Sequence, residues 1–215
     1  MIVTDNVKIA NKAKIETVIK NLEKRAIAGY YADNKEEALK MVLDMIPDGA
    51  TVGKGGSETL NELGIIPILK EGNYTYLDPF GDPDPETAKA VKRAVFSADV
   101  MLTSANALTL DGEIVNIDGT GNRMAAVIWG TDKVIYVVGT NMLVAHVHDA
   151  VDRIKCDACP PNCVRLNKKP PCAATGKCAE CLSPGNTTCC HTVITRFSSI
   201  PDRVHVILVN EPMGF

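Results

Sequence analysis

Residues Ala98–Arg123, ADVMLTSANALTLDGEIVNIDGTGNR, decide the fold. Val100, Met101 and Leu102 are a short apolar run of the kind a buried strand shows, and the run ends in the small polar set Thr103, Ser104, Ala105, Asn106. After Leu108, Thr109 and Leu110, the pair Asp111-Gly112 has the residues of a tight hairpin turn, and Ile114 to Ile117 returns as a second strand with Glu113 exposed in the hairpin. Asn116, Asp118, Asn122 and Arg123 then crowd around Gly119 and Gly121. Folding would set two amides, a carboxylate and a guanidinium at the carboxyl end of a sheet, where open α/β proteins hold their ligands. The competing reading is that Asp118, Gly119 and Asn122 only make turns.

Outward from this stretch, strands and helices alternate. Downstream, Met124 to Trp129 reads as a helix ended by Gly130, and Val134 to Val138 as a strand buried on both faces. Leu143, Val147, Ala150, Val151 and Ile154 mark a further helix face, on which His146 and His148 are expected to point in different directions. Val204 to Val209 is the last strand, with His205 packed or exposed rather than catalytic. Upstream, Ile15, Val18, Ile19, Leu22 and Ala26 form one apolar helix stripe, packed on the domain or on a second subunit as a homodimer. A strand follows over Ala26 to Ala32, then Asp33 and Glu36 as a capping box, then a helix with the stripe Leu39, Val42, Leu43, Ile46. Pro67 to Gly72 and Glu86 to Ser97 are further helices, and Tyr74 to Leu77 a further strand. Asp78 to Pro85 is either a lid, with Asp78 or Asp82 reaching inward, or a surface connection. The pattern predicts one α/β domain over residues 1–215, a largely parallel sheet flanked by helices.

Ala50 to Val52 runs into Gly53-Lys54-Gly55-Gly56-Ser57, with Glu58 to Leu63 as the following helix and Gly64 as its stop. Strand, glycine loop and helix suit an anion, because converging backbone N–H groups, the Ser57 hydroxyl and the Lys54 charge all favour one. The loop is neither a Walker A motif nor GxGxxG, and a glycine-rich turn without a ligand is equally common.

A net charge of −3 gives no basic face for nucleic acid. The start of the chain lacks the apolar core of a signal peptide, and no run approaches the ~18 residues that span a bilayer, so a cytoplasmic protein without membrane insertion is expected. In that compartment eight cysteines are thiols or metal ligands rather than disulfides. All eight lie within residues 156–190, among proline, glycine, asparagine and lysine, with little apolar material to order the segment. Cys178-Ala-Glu-Cys181 is a CxxC, with Cys172 and Cys189 near enough to complete four ligands for a [4Fe-4S] cluster or a zinc ion. Cys156, Cys159 and Cys163 form a second, looser group that either joins Cys190 or stays reduced.

The chain resembles the lactate-utilisation (LUD) domain family from about Tyr31 onward. The resemblance is carried by GKGGSETLNELG at Gly53–Gly64, ADVMLTSANALTLDGEIVNIDGTGNRMAA at Ala98–Ala126, and the closing RVHVILVNEPMGF. It implies the fold group of ribose-phosphate isomerase and the CoA transferases (NagB/RpiA-like). It also favours Cys172, Cys178, Cys181 and Cys189 as the metal set, and implies a part in oxidising lactate alongside iron-sulfur partner proteins. By the same resemblance, the Gly53–Ser57 loop and Ser104–Arg123 should face one another across a pocket. The glutamate nucleophile of CoA transferases has no counterpart at the expected strand end, which leaves Asp118 as the carboxylate base, with Asn122 beside it. Arg123 and Lys54 would hold an anion, together with Gly53, Gly55, Gly56, Ser57, Ser104, Asn106 and Asn116. The leading expectation is a redox or accessory subunit of organic-acid utilisation that binds a small anionic metabolite. The alternatives are an isomerase or transferase for a phosphorylated or CoA-linked substrate with a structural zinc, and a non-catalytic ligand-binding or assembly protein.

Overall fold

The computed structural model describes residues 4–81 and 84–215, so the suggestion that Asp82 reaches inward lies outside the described residues. Six parallel strands form the main sheet: β1 (Ala28–Ala32), β2 (Thr51–Lys54), β3 (Thr75–Leu77), β4 (Val100–Thr103), β7 (Lys133–Gly139) and β10 (Val204–Val209). Their order is β1-β10-β7-β4-β2-β3, and every pairing is parallel. β7 shows why its sequence reads as an unbroken apolar run. Val134, Tyr136 and Val138 face one core with Ile15, Val18 and Leu22 of helix α1 (Asp5–Glu23), while Ile135 and Val137 face another with Val42 of α2 (Lys35–Met45). A strand covered on both faces has no polar alternation to show.

Ile15, Val18 and Leu22 are fully buried against the sheet, so this part of the α1 stripe packs within the chain. One strand start moves by two residues and one helix cap by one. Ala26 has φ +54 and turns the chain before β1 begins at Ala28. Asn34, not Asp33, caps α2 by accepting from the Glu37 N–H, and the Glu37 carboxylate accepts from the Asp33 N–H. The glycine loop is as expected: Ser57 caps α3 (Glu58–Leu63), and Gly64 ends it at φ +75 before α4 (Ile65–Glu71). Asp84 caps α5 (Pro85–Phe96), with Pro85 in the first turn.

The hairpin of Asp111-Gly112 does not extend the main sheet. β5 (Ala107–Thr109) and β6 (Ile114–Asp118) belong to a second, four-stranded sheet with β8 (Leu143–Val144) and β9 (His191–Thr195), in the order β8-β5-β6-β9. Leu143 therefore stands in a strand, and its helix, α7, covers Val147–Arg153 only. Glu113 is not exposed: it sits 2.6 Å from Arg25 and is bonded to the Thr109 hydroxyl. After β6, α6 (Asn122–Ala125) continues as a π-helical turn over Ala126–Gly130, and buried Arg203 donates to its carbonyls at Val127 (2.8 Å) and Ala126 (3.3 Å). His146 precedes α7 as its N-cap, so its ring stacks on that of His148 at 5.5 Å instead of pointing away.

The cysteine segment is more regular than its composition suggests. A π-helical turn at Ile154–Ala158 leads into α8 (Cys159–Arg165), and α9 (Pro171–Thr175) follows. Ile154 and Ala158 pack with Val115 and Ile117 of the second sheet, so the segment is anchored through that sheet rather than hanging from the domain.

Candidate functional site: a cleft between the sheet ends and the cysteine segment

Where β4 ends, Ser104 and Asn106 lead away from the main sheet, and the turn after β6 returns beside them. Arg123 ties these pieces together. Its Nη1 donates to Asn116 Oδ1 at 2.9 Å and to the Ser104 carbonyl at 3.3 Å. Its Nη2 donates to the Ile117 carbonyl at 2.9 Å and to Asn106 Oδ1 at 3.2 Å. The fork of donors that suits a substrate carboxylate is thus taken up by the protein itself. Gly55 allows this, since a Cβ there would stand 2.5 Å from Arg123 Cδ.

Asp118, 7% exposed, accepts from the backbone N–H of Gly121 (2.9 Å) and Thr120 (3.1 Å) through Oδ1. Its Oδ2 is buried and has no hydrogen-bond donor; Arg123 Nε lies 3.3 Å away as an ion pair, off the line a hydrogen bond requires. A buried carboxylate oxygen with charge compensation but no proton donor keeps its acceptor capacity available.

These groups line a cleft of about 570 Å³. The sequence-predicted Gly55, Gly56, Ser57, Ser104, Asn106, Asp118, Asn122 and Arg123 border it. Gly53, Lys54 and Asn116 stand back. Gly53 packs on Val95, which a Cβ would approach to 2.7 Å, and Asn116 is fully buried under Arg123. Lys54 pairs with Asp78 at 3.9 Å, and burial pulls its ammonium below the ordinary lysine range despite that carboxylate. Asp78 is thereby turned to Lys54 and to Lys70, 3.8 Å off, while Pro79 and Phe80 of its loop border the cleft. The opposite wall was not foreseen: Cys159, Asn162, Arg165 and Lys168 from the cysteine segment, with Thr187, Thr188 and Cys190. The run Arg165 to Lys169, three cations in five residues beside the cysteines, is the signal that marked it.

The sequence of this fold points to one family. The LUD domain model matches residues 15–209. The chain belongs to the LUD domain family. A DUF162 family protein from Deinococcus radiodurans shares the fold of this LUD domain at 15% identity and a TM-score of 0.53, over 93% of this chain and 98% of that one. Translation initiation factor eIF-2B from Pyrococcus horikoshii matches at a TM-score of 0.38 and 15% identity, over 54% of this chain and 50% of that one. Ribose 5 phosphate isomerase A from Neisseria gonorrhoeae matches at 0.35 and 12% identity, over 63% and 66%. A search of curated proteins found no match.

Behind the cleft wall of this LUD domain the thiols gather. Cys172 feels the charges of Cys163, Cys181 and Cys178, and Cys189 those of Cys181 and Cys178, so Cys178 and Cys181 act electrostatically on both of the other cysteines singled out from the sequence. Cys159 joins them through Cys189, Cys163, Cys172 and Cys178. Burial, and then the other thiols, push Cys159 up to about 12 and Cys172 up to about 11. Among the described residues, no three Cys, His, Asp or Glu side chains stand close enough to hold one ion. In metal-free protein at pH 8, iodoacetamide should label exposed Cys156 and Cys190 before Cys159 and buried Cys163, as read by peptide mass spectrometry; faster labelling of Cys159 would contradict its burial. No helix among the described residues is long and apolar enough to cross a membrane.

Proposed function

We propose that this LUD domain serves organic-acid, specifically lactate, utilisation as a redox or accessory subunit that binds a small anionic metabolite in the cleft and carries a cysteine-ligated metal beside it. One observation carries the reading: Cys159 and Cys190 border the same cleft as Ser104, Asn122 and Asp118. In this account the Ser104 hydroxyl and the Asn106 and Asn122 amides orient the acid, and Asp118 Oδ2 accepts a proton from it. Arg123 is a positioning residue that pairs with Asp118 and joins the sheet ends around it.

The donor set suits a metal in its chemistry. Burial and the neighbouring thiols push Cys172 and Cys189 up, and a bound cation would reverse that by stabilising their thiolates. Cys172, Cys178, Cys181 and Cys189 would hold it. A [4Fe-4S] cluster there would supply one-electron chemistry, whereas zinc would only order the segment. The domain would then work with iron-sulfur partner proteins rather than alone.

Calorimetry with lactate and with pyruvate tests the cleft. Each should bind, and Ser104→Ala or Asn122→Ala should weaken binding about fivefold, the worth of one neutral hydrogen bond. Binding of neither acid, or binding indifferent to both substitutions, would remove the proposed site.

A further inference from the structure

The cleft is several times larger than a three-carbon acid. Taking about 30 Å³ as the share of a water-sized group, the six non-hydrogen atoms of lactate occupy no more than roughly 180 Å³. The cleft holds about 570 Å³, a volume in the range that drug-sized ligands fill.

The groups gathered at Gly56 differ in kind from those around Asp118. A Cβ on Gly56 would lie 3.4 Å from Phe80 Cζ and 3.2 Å from Arg165 Nη2, so the ring and the guanidinium close on the same bare stretch of backbone. Phe80 borders the cleft and is 54% exposed, so its ring is open to a ligand. Lys54 Nζ stands 5.7 Å and Lys92 Nζ 6.0 Å from its centroid. Arg165 is steadied by Asn162 at 2.7 Å and by Glu58 at 3.4 Å. A ring accessible to solvent, ringed by two ammonium groups and a guanidinium, offers a stacking face and phosphate-binding charge in one place.

We infer that the Gly56 end of the cleft binds a nucleotide, its base against Phe80 and its phosphates between Lys92 and Arg165, leaving the Asp118 end for the small acid. This rests on the reading of the cleft as an anion site. The charges of Lys92 and Arg165 select for phosphate over carboxylate, and the ring selects for a planar body over a free anion.

Calorimetry on the full chain with ADP, inorganic phosphate and lactate, each alone, separates the possibilities. ADP should bind in the micromolar range, with inorganic phosphate at least tenfold weaker. Phe80→Ala should weaken ADP at least tenfold while leaving phosphate within twofold, and Lys92→Ala should weaken ADP and reduce the salt dependence of its binding. Both side chains lie at the surface of the cleft, and an unchanged melting temperature confirms folding of the variants. ADP binding that ignores both substitutions, or phosphate binding as tight as ADP, overturns the inference. Lactate binding with no ADP binding at millimolar concentration overturns it and leaves the acid site standing; binding of none of the three overturns both.

Discussion

Replacing Arg123 by methionine is expected to destabilise the protein by about 3–5 kcal/mol, the usual result of removing one partner of a buried ion pair. The cause is specific. Arg123 satisfies two carbonyls, at Ser104 and Ile117, and two amide oxygens, at Asn106 and Asn116, and it compensates the Asp118 carboxylate. Its loss leaves four acceptors and a charge buried together, and at ~3 °C per kcal/mol for a chain of this size the melting temperature should fall by roughly 10 °C. Arg123→Lys should recover little, because an ammonium cannot span four acceptors as a planar fork does. Adding Asp118→Asn to Arg123→Met should restore part of the loss, since the amide removes the uncompensated charge; strictly additive losses would show that the two side chains do not act as a pair.

Cys181→Ser should reduce bound metal at least tenfold, the effect expected when one of four thiolates is lost, while Cys156→Ser should leave metal content unchanged. Cys181 is electrostatically coupled to Cys172 and Cys189, whereas Cys156 is exposed on the π-helical turn that precedes α8. Metal analysis of the two variants side by side reads the difference. Equal metal in both would mean that the sulfur neighbourhood is not a ligand set.

The main sheet was legible because burial on both faces leaves unbroken apolar runs at β4, β7 and β10, and because the punctuation at Ser57, Gly64 and Asp84-Pro85 is chemically explicit. The second sheet was not. β8 has two residues, and β9, with its residues exposed or half-buried, has no apolar period to detect. Its existence also explains why the hairpin turn was recognised but its sheet was not: a turn is local, whereas β6 pairs with β9 across more than seventy residues.

At the site, residue types were readable and partners were not. Asp118, Asn122 and Arg123 stand out by composition, yet that the donors of Arg123 are used internally depends on Asn106 arriving from the β4–β5 loop and Asn116 from β6. Likewise, Gly55 reads as part of an anion loop, while its close approach to Arg123 shows it making room for a guanidinium. The cysteine spacing announced a cluster, but the joining of its flank to the cleft through Cys159 and Cys190 is a tertiary fact.

The central claim, that this LUD domain carries a redox-active metal next to its anion cleft, is tested most directly by the iron, zinc and acid-labile sulfide content of protein purified without oxygen. About four iron and four sulfide per chain are expected, the composition of a [4Fe-4S] cluster. About one zinc with no sulfide would contradict the redox role, and neither metal would contradict the cysteine site altogether.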